Sequence, residues 1–495
     1  MKHILGISTG FHDAAATVLD QHGEILFAGH SERYSKIKFD AGLSWDMLEE
    51  IRHHDITDIA YYERPIWHNL QRLWSGQRPL GPWTLKGTLR QELNGHYDRI
   101  SAKRYHQFPH HLSHAAAAFQ TSTFDRAAVV VIDAIGELDT VSIYRAWYDI
   151  NGQAQYKRVW HRRYPHSLGL FYSAITERVG LRPMDEEYIT MGMAAYGDAS
   201  RAEEMAQVLV SDAWNVCFRD NLHTGLDASL FQDWTPEDLA AAAQTLTEQL
   251  VRYIMFRTSI STGETNVVYG GGVALNCVAN RVLGDYFNDI WILPNPGDAG
   301  SSLGAAALAH GGRVHWRDAF LGHCIRGDYP VHDCLQHLLA HGIVGVASGR
   351  AEFGPRALGN RSLLADPRGS NIRDRVNDIK RRQRFRPFAP AILAEYCGDY
   401  FDMPRGWTNS DYMQVTARCR DPEAFPAICH VDGTSRVQTV QKDGSGLRRL
   451  LEAWHAATGC PMLLNTSLNI RGEPMVNDRA DADRFQQLYG VTVCS

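Results

Sequence analysis

A chain of 495 residues exceeds the size at which a single hydrophobic core usually stops growing, so at least two domains are expected. Apolar residues make up 44% and charged residues 21%, an ordinary globular balance that excludes wholesale disorder. The formal net charge of -6 excludes a global basic field for nucleic acid or anionic lipid.

No run of about 18 apolar residues is present, so no membrane span is expected. The N-terminal MKHILGISTG runs straight into a strand pattern and lacks the long apolar stretch of a signal peptide. The nine cysteines form no CxxC pair, and none falls in the first 216 residues. No disulfide framework or zinc-ribbon spacing results, and a reducing, cytoplasmic location is the expectation.

Residues 3–9, 14–20 and 24–29 read as three strands, with Gln21-His22-Gly23 turning between the last two. The loop STGFHD joins the first pair. Helices are expected over 45–57 and 87–101. The Trp-, Pro- and Gly-rich stretch 64–86 has no clear period and reads as a long surface loop, serving either an acceptor site or packing. Residues 111–120 form an alanine-rich helix pattern. AAVVVID (127–133) fits a buried central strand, with 140–147 as its partner. Residues 165–199 mix loop and helix, and 236–259 read as one long amphipathic helix. A second core strand, NVVYGGG (266–272), is followed by helices expected over 274–283 and 299–311. Two strand units in this first part predict a duplicated, ATP-cradling α/β fold. Composition shifts over 311–330, where a linker is expected between a domain spanning 1–325 and a smaller α/β domain spanning 340–495, opened by the strand 342–348.

His110 and His114 are four residues apart at a helix start, so their rings share one face, the spacing of two ligands on a metal-binding helix. The same spacing also suits a hydrogen-bonded histidine cluster. Asp133 ends the strand AAVVVID, where α/β proteins place working residues, and Asp298 sits at the edge of a later unit. Asp298 reads equally as a helix N-cap, and Asp133 as a group that orients a neighbour. Two imidazoles with two carboxylates suit iron, manganese or zinc better than calcium. His12, in the loop after the first strand, is a candidate general base or a polar turn residue.

Gly271 and Gly272, followed by Asn276, form a strand–glycine turn–helix start whose amides could cradle a phosphate, although the pattern is neither a Walker loop nor GxGxxG. In the smaller domain Arg356 and Arg361 alternate with Gly354 and Gly359. Lys380 and Arg386 lie in IKRRQRFRPFAP, a basic run within an acidic protein. Arginine forks match phosphoryl oxygens. A phosphate-rich small-molecule site, an RNA-binding patch and a solvated basic helix remain as alternatives for this run. Arg436 in a turn and Asn465 after an apolar run add groups suited to a nucleotide and a short acyl or carbamoyl phosphate.

Together, FHDAAA, HHLSHA, VIDAIGELDT, GGVALNCVAN, NPGDAGSSLGAA, FGPRALGNRS, IKRRQRFRPFAP, HVDGTSRVQTV and NTSLNIRGEP resemble the O-carbamoyltransferase family of nodulation, cephalosporin-type and aminoglycoside enzymes across nearly the whole chain. The resemblance implies an actin/Hsp70-like domain related to the tRNA threonylcarbamoyl transferase. A domain resembling the threonylcarbamoyl-adenylate synthase fold would follow it. It implies His110, His114, Asp133 and Asp298 as ligands of Fe2+ or another divalent metal, and His12 as the base for an acceptor hydroxyl. It implies Arg356, Lys380, Arg386, Arg436 and Asn465 as contacts to carbamoyl phosphate and adenylate, with ATP and Mg2+ as further cofactors. Ala134 and Gln383 depart from the family pattern without removing a ligand. The expected partners are a hydroxylated small molecule, carbamoyl phosphate and ATP, with no nucleic acid and no membrane. A tRNA-directed transferase and a metabolite kinase on the same ATPase fold are the alternatives.

Overall fold

The computed structural model describes residues 2–79, 81–93, 95–100, 102–369 and 371–495. It divides into two units, Met1–Ser35 with Phe39–Asp318, and Lys36–Lys38 with Ala319–Ser495.

In the first unit, β1 (His3–Ser8), β2 (Ala15–Leu19), β3 (Ile25–His30), β4 (Ile56–Tyr61) and β5 (Arg104–Gln107) form a sheet of order β3-β2-β1-β4-β5. The first three strands make an antiparallel meander, while β4 lies parallel to β1 and β5 parallel to β4. The second sheet begins with β6 (Arg126–Gly136), β7 (Asp139–Tyr148) and β8 (Ala154–Arg163). A short ribbon of β9 (Val210–Asp212) and β10 (Cys217–Phe218) intervenes, and β11 (Asn266–Gly270) and β12 (Asp289–Ile292) complete the sheet. Its order is β12-β11-β6-β7-β8, again an antiparallel meander extended by two parallel strands. Counted from its own first strand, each sheet reads 3-2-1-4-5. This is the duplicated actin/Hsp70-like arrangement expected from the resemblance.

The two halves exchange helices. The helix His110–Thr121, which follows β5, packs on β6 and β11 of the second sheet. The helix Ser301–His310, which follows β12, packs on β1 and β2 of the first. Two glycines permit this. A Cβ on Gly6 would lie 1.9 Å from the carbonyl oxygen of Ser302, and one on Gly304 would lie 2.0 Å from that of Ser113.

Several expected elements differ. The stretch 64–86 holds the helix Pro65–Trp74, with proline in its first turn, and the start of a helix Leu85–Glu92 capped by Thr84. Proline at a helix start already has the right φ and lacks an amide that would go unpaired. Leu80 of that stretch lies outside the described residues, as do Asn94 and Ser101 of the expected helix 87–101. The helix expected over 45–57 ends at Ile51, and Ile56 opens β4. The helix expected over 274–283 is a pair of 3-10 turns, Gly272–Leu275 and Ala279–Asp285. The long helix runs Pro236–Thr262, capped by the Thr235 side chain and closed by Gly263 at φ 65.

In the second unit a six-stranded sheet has the order β21-β17-β22-β16-β14-β23, built from β14 (Ile343–Ala347), β16 (Arg361–Ala365), β17 (Ala389–Leu393), β21 (Gln438–Val440), β22 (Met462–Ser467) and β23 (Val493–Cys494). Two smaller sheets flank it in sequence, β13 (Phe320–Ile325) with β15 (Gly349–Glu352), and β18 (Phe401–Asp402), β19 (Thr416–Cys419) and β20 (Thr434–Arg436). The apolar residues of β14, β16, β17 and β22 form one core with Leu450, Leu451 and Trp454 of the helix Gly446–Thr458. All nine cysteines are free. Among the described residues, no helix is long and apolar enough to cross a membrane.

Candidate functional site

The strand β6 is buried along most of its length, and its ladder with β7 shifts register between Ile132 and Gly136. Asp133 sits at this irregularity, where a strand commonly re-aims a side chain toward a site. Its Oδ1 accepts the amides of Ala134 at 2.8 Å and Gly272 at 3.3 Å, which fixes the carboxylate. Its Oδ2 lies 3.3 Å from His110 Nε2 and 3.1 Å from His114 Nε2. Asp298 Oδ1 lies 3.3 Å and 3.1 Å from the same two nitrogens. Asp298 is not the cap of the helix that follows. That position belongs to Gly300.

The structure thus brings His110, His114, Asp133 and Asp298 together, with one donor atom from each within 4.8 Å of all the others. His110 Nε2 and His114 Nε2 are 3.0 Å apart. Neighbouring ligands of a six-coordinate ion with bonds of about 2.1 Å stand about 3.0 Å apart, so this donor set and spacing fit a divalent transition metal. The outer ring nitrogens are also engaged. His114 Nδ1 is 3.1 Å from the Pro296 carbonyl oxygen, and His110 Nδ1 is 3.5 Å from Glu63 Oε2. Such partners leave Nε2 facing the centre.

The imidazoles and carboxylates favour one another's charged forms. Burial alone would lower the pKa of His110 and His114 and raise those of the carboxylates. The mutual attractions outweigh burial, so both histidines lie above and both aspartates below their ordinary values. His111, between the ligands, differs. It pairs with Ser142 Oγ at 2.9 Å, and burial and the neighbouring His110 charge push its pKa well down, so it stays neutral.

His12 stands at the edge of this centre, its Nε2 4.0 Å from Asp298 Oδ2 and its Nδ1 3.2 Å from Asp13. Burial disfavours its charge, but the Asp13 hydrogen bond and the carboxylates of Asp298 and Asp133 raise its pKa to about 9.

The expected phosphate cradle at the glycine turn is otherwise employed. The Gly271 amide donates to the Pro296 carbonyl at 2.8 Å, and the Gly272 amide donates to Asp133. Gly271 has φ 87, and a Cβ there would lie 2.2 Å from the Ile132 carbonyl oxygen, so the turn is shaped to support the aspartate. Asn276 is paired with Gln244 through both ends of its amide. These three residues brace the first unit internally.

The second unit gathers a separate polar site along β22. Asn465 and Ser467 are two residues apart and share one side of the strand. Asn465 Nδ2 donates to the Ala357 carbonyl at 3.1 Å and to Gln438 Oε1 at 2.7 Å. Ala357 follows Arg356, and Gln438 lies two residues beyond Arg436, so Asn465 ties both arginine-bearing segments together. Asn465 Oδ1 and Arg436 Nε are buried without a hydrogen-bond partner among the described residues. Lys380 is buried and donates to the Ser467 carbonyl, to Ser467 Oγ at 2.9 Å and to Asn469 Oδ1 at 2.8 Å. Burial, then the charges of Arg382 and Arg386, lower its pKa well below the ordinary value.

Arg361 plays another part than the sequence expectation gave it. It is fully buried and donates to five backbone carbonyls, those of Asn477, Ser348, Asn360, His323 and Gly349. No fork is left for a phosphoryl group. Glu352, which the sequence reading missed, shapes the arginine loop by accepting the amides of Leu358, Asn360 and Arg361 on Oε1 at 2.8, 3.0 and 3.1 Å. Glu63 was missed as well. Its only sequence signal is a carboxylate at the end of a strand, in YYERP.

A duplicated α/β unit with a histidine–carboxylate cluster is followed by an α/β unit with a basic polar site, and both parts match one family of transferases. The chain belongs to the carbamoyltransferase family. Residues 84–307 match the family's carbamoyltransferase N-terminus and residues 335–493 its C-terminus. It is 34% identical to an uncharacterized protein of Synechocystis sp., over 98% of this chain and 94% of that one. It is 31% identical to nodulation protein NolNO of Sinorhizobium fredii, over 96% and 76%. It is also 31% identical to the 3'-hydroxymethylcephem-O-carbamoyltransferase of Amycolatopsis lactamdurans, over 67% of each chain.

Proposed function

We propose that this transferase works in two steps. The second unit converts carbamoyl phosphate and ATP to carbamoyl-adenylate, and the first moves the carbamoyl group to a hydroxyl of a small molecule. The observation that carries this reading is His12 beside the four-donor centre, 4.0 Å from Asp298.

In the first step one water is consumed, and phosphate and pyrophosphate leave, with ATP accompanied by Mg2+. Arg386, Arg356 and Arg436 neutralise the phosphoryl charge, Lys380 holds Ser467 and Asn469 in place at the site, and Asn465 orients the carbamoyl group. In the second step the acceptor oxygen attacks the carbamoyl carbon, the bond to the adenylate oxygen breaks, and AMP departs with the electron pair. His12 Nε2 takes the hydroxyl proton.

His110, His114, Asp133 and Asp298 hold the metal, which supplies Lewis-acid polarisation of a carbonyl oxygen when bound. Iron is our assignment, by family resemblance. The ligand set also suits manganese and zinc.

The test is a mass-spectrometric screen of hydroxylated metabolites incubated with the protein, ATP and carbamoyl phosphate. The expected result is a product heavier by one carbamoyl group, formed only when both co-substrates are present. Lys380→Ala abolishes adenylate formation, and His12→Ala spares it while slowing transfer. Phosphate transfer from ATP without carbamoyl phosphate, or modification of tRNA alone, overturns the reading.

A further inference from the structure

The segment Tyr62-Glu63-Arg64 brackets the candidate metal centre from outside. Glu63 is buried, a costly place for a carboxylate without strong partners. Its Oε2 faces two imidazoles, His110 Nδ1 at 3.5 Å and His68 Nδ1 at 3.2 Å, and its Oε1 is 3.0 Å from His68 Nδ1. The contact to His110 is at the outer limit of a hydrogen bond. The surroundings hold the pair in register. Ser113 Oγ, one turn along from His110, donates to the Tyr62 carbonyl at 2.7 Å. The Arg64 amide and Nε reach Glu137 Oε1 at 2.9 and 3.0 Å. Glu137 follows Gly136, where a Cβ would lie 2.5 Å from His110 Cδ2. His110 therefore has Gly136 against one edge of its ring and Glu63 at its outer nitrogen.

We propose that Glu63 is a positioning residue that sets the orientation and basicity of His110 for a divalent cation. The inference rests on the reading of the four-donor cluster as a metal centre. The two histidines differ in this respect. His114 is backed by the neutral carbonyl of Pro296, whereas His110 is backed by a carboxylate that is itself buttressed by His68. A carboxylate behind Nδ1 strengthens Nε2 as a donor and locks the ring plane. A buried group with only a packing role is served as well by an apolar side chain, and two imidazoles converging on one carboxylate are not explained by packing.

The experiment measures Mn2+ and Zn2+ affinity by chelator competition for wild type, Glu63→Gln and Glu63→Ala, together with metal-free melting temperatures. Loss of an outer-shell partner typically costs roughly 10- to 100-fold in affinity. Glu63→Ala is expected to fall in that range, and Glu63→Gln, which keeps an acceptor oxygen but not the charge, between it and wild type. Metal-free melting temperatures read any folding cost separately, and affinities are compared under conditions where each variant is fully folded. If wild type binds the ions and both variants bind within about twofold of it, Glu63 has no such role and the metal reading stands. If wild type binds neither ion, the metal reading fails and this inference fails with it.

Discussion

His110 Nε2 and His114 Nε2 lie 3.0 Å apart, with a carboxylate oxygen of Asp133 and one of Asp298 within 3.3 Å of each. The carboxylates raise the pKa of both rings against the cost of burial. A cation needs the Nε2 lone pairs, so binding expels protons. Metal affinity therefore rises with pH, by about tenfold per pH unit for each proton displaced. Calorimetry in two buffers of different ionisation enthalpy counts those protons. A pH-independent affinity would show that the rings are already neutral.

His12 responds to the same centre. With its pKa raised to about 9 by Asp13 and the aspartates, it is protonated at neutral pH and cannot accept a hydroxyl proton. A bound cation offsets the carboxylate charge, so the His12 pKa is expected to fall on metal addition. Proton NMR of the His12 ring, titrated with and without Zn2+, reads the shift directly. The sign for stability follows from linkage. A pKa raised from 6.5 to about 9 favours the folded metal-free chain fully below pH 6.5, and that contribution is lost as pH rises through about 9.

Gly136→Ala tests how tightly the first histidine is packed. The added methyl would lie 2.5 Å from ring carbons of both His110 and His111. Overpacking of this kind costs about 1–3 kcal/mol. Because His110 must shift, metal affinity falls by about tenfold as well. Unchanged affinity alongside reduced stability would mean that the ring yields without leaving its place.

Arg361→Met separates structure from chemistry in the second unit. It strands up to five buried carbonyls, and destabilisation of at least about 3 kcal/mol is expected in chemical denaturation. Carbamoyl phosphate affinity, measured by calorimetry where the variant remains folded, stays at the wild-type level. A large loss of affinity in the folded variant would return Arg361 to the phosphate site.

The central strands and the metal-type cluster were legible because their signals are local. AAVVVID has the unbroken apolar run of a buried strand, and HxxxH places two rings on one helical face. The helix Pro65–Trp74 reads in sequence as part of a surface loop. Its Trp-, Pro- and Gly-rich surroundings show no period, and its apolar residues Ile66, Trp67, Leu70, Leu73 and Trp74 are exposed while Asn69 and Gln71 are buried, so no core-facing stripe marks it. The glycine turn misled differently. Its form was read correctly, but which groups its amides serve is set by Pro296 and Asp133, distant in sequence. Arg361 shows the limit of reading arginine as a phosphate ligand, since five carbonyls from several segments claim it only once the chain has folded. Glu63 and Glu352 carry no motif at all, and only the fold reveals what they face.

The shared 3-2-1-4-5 order of the two sheets bears on how the centre came to exist. His110 and His114 open the helix after the fifth strand of the first copy, and Asp298 lies just before the helix after the fifth strand of the second. Asp133 lies near the end of the first strand of the second copy, at its register shift, and His12 follows the first strand of the first copy. Corresponding places in the two repeats thus hold nitrogen donors on one side and oxygen donors on the other. The cluster therefore draws its imidazoles from one repeat and its carboxylates from the other, so neither repeat alone carries all four groups.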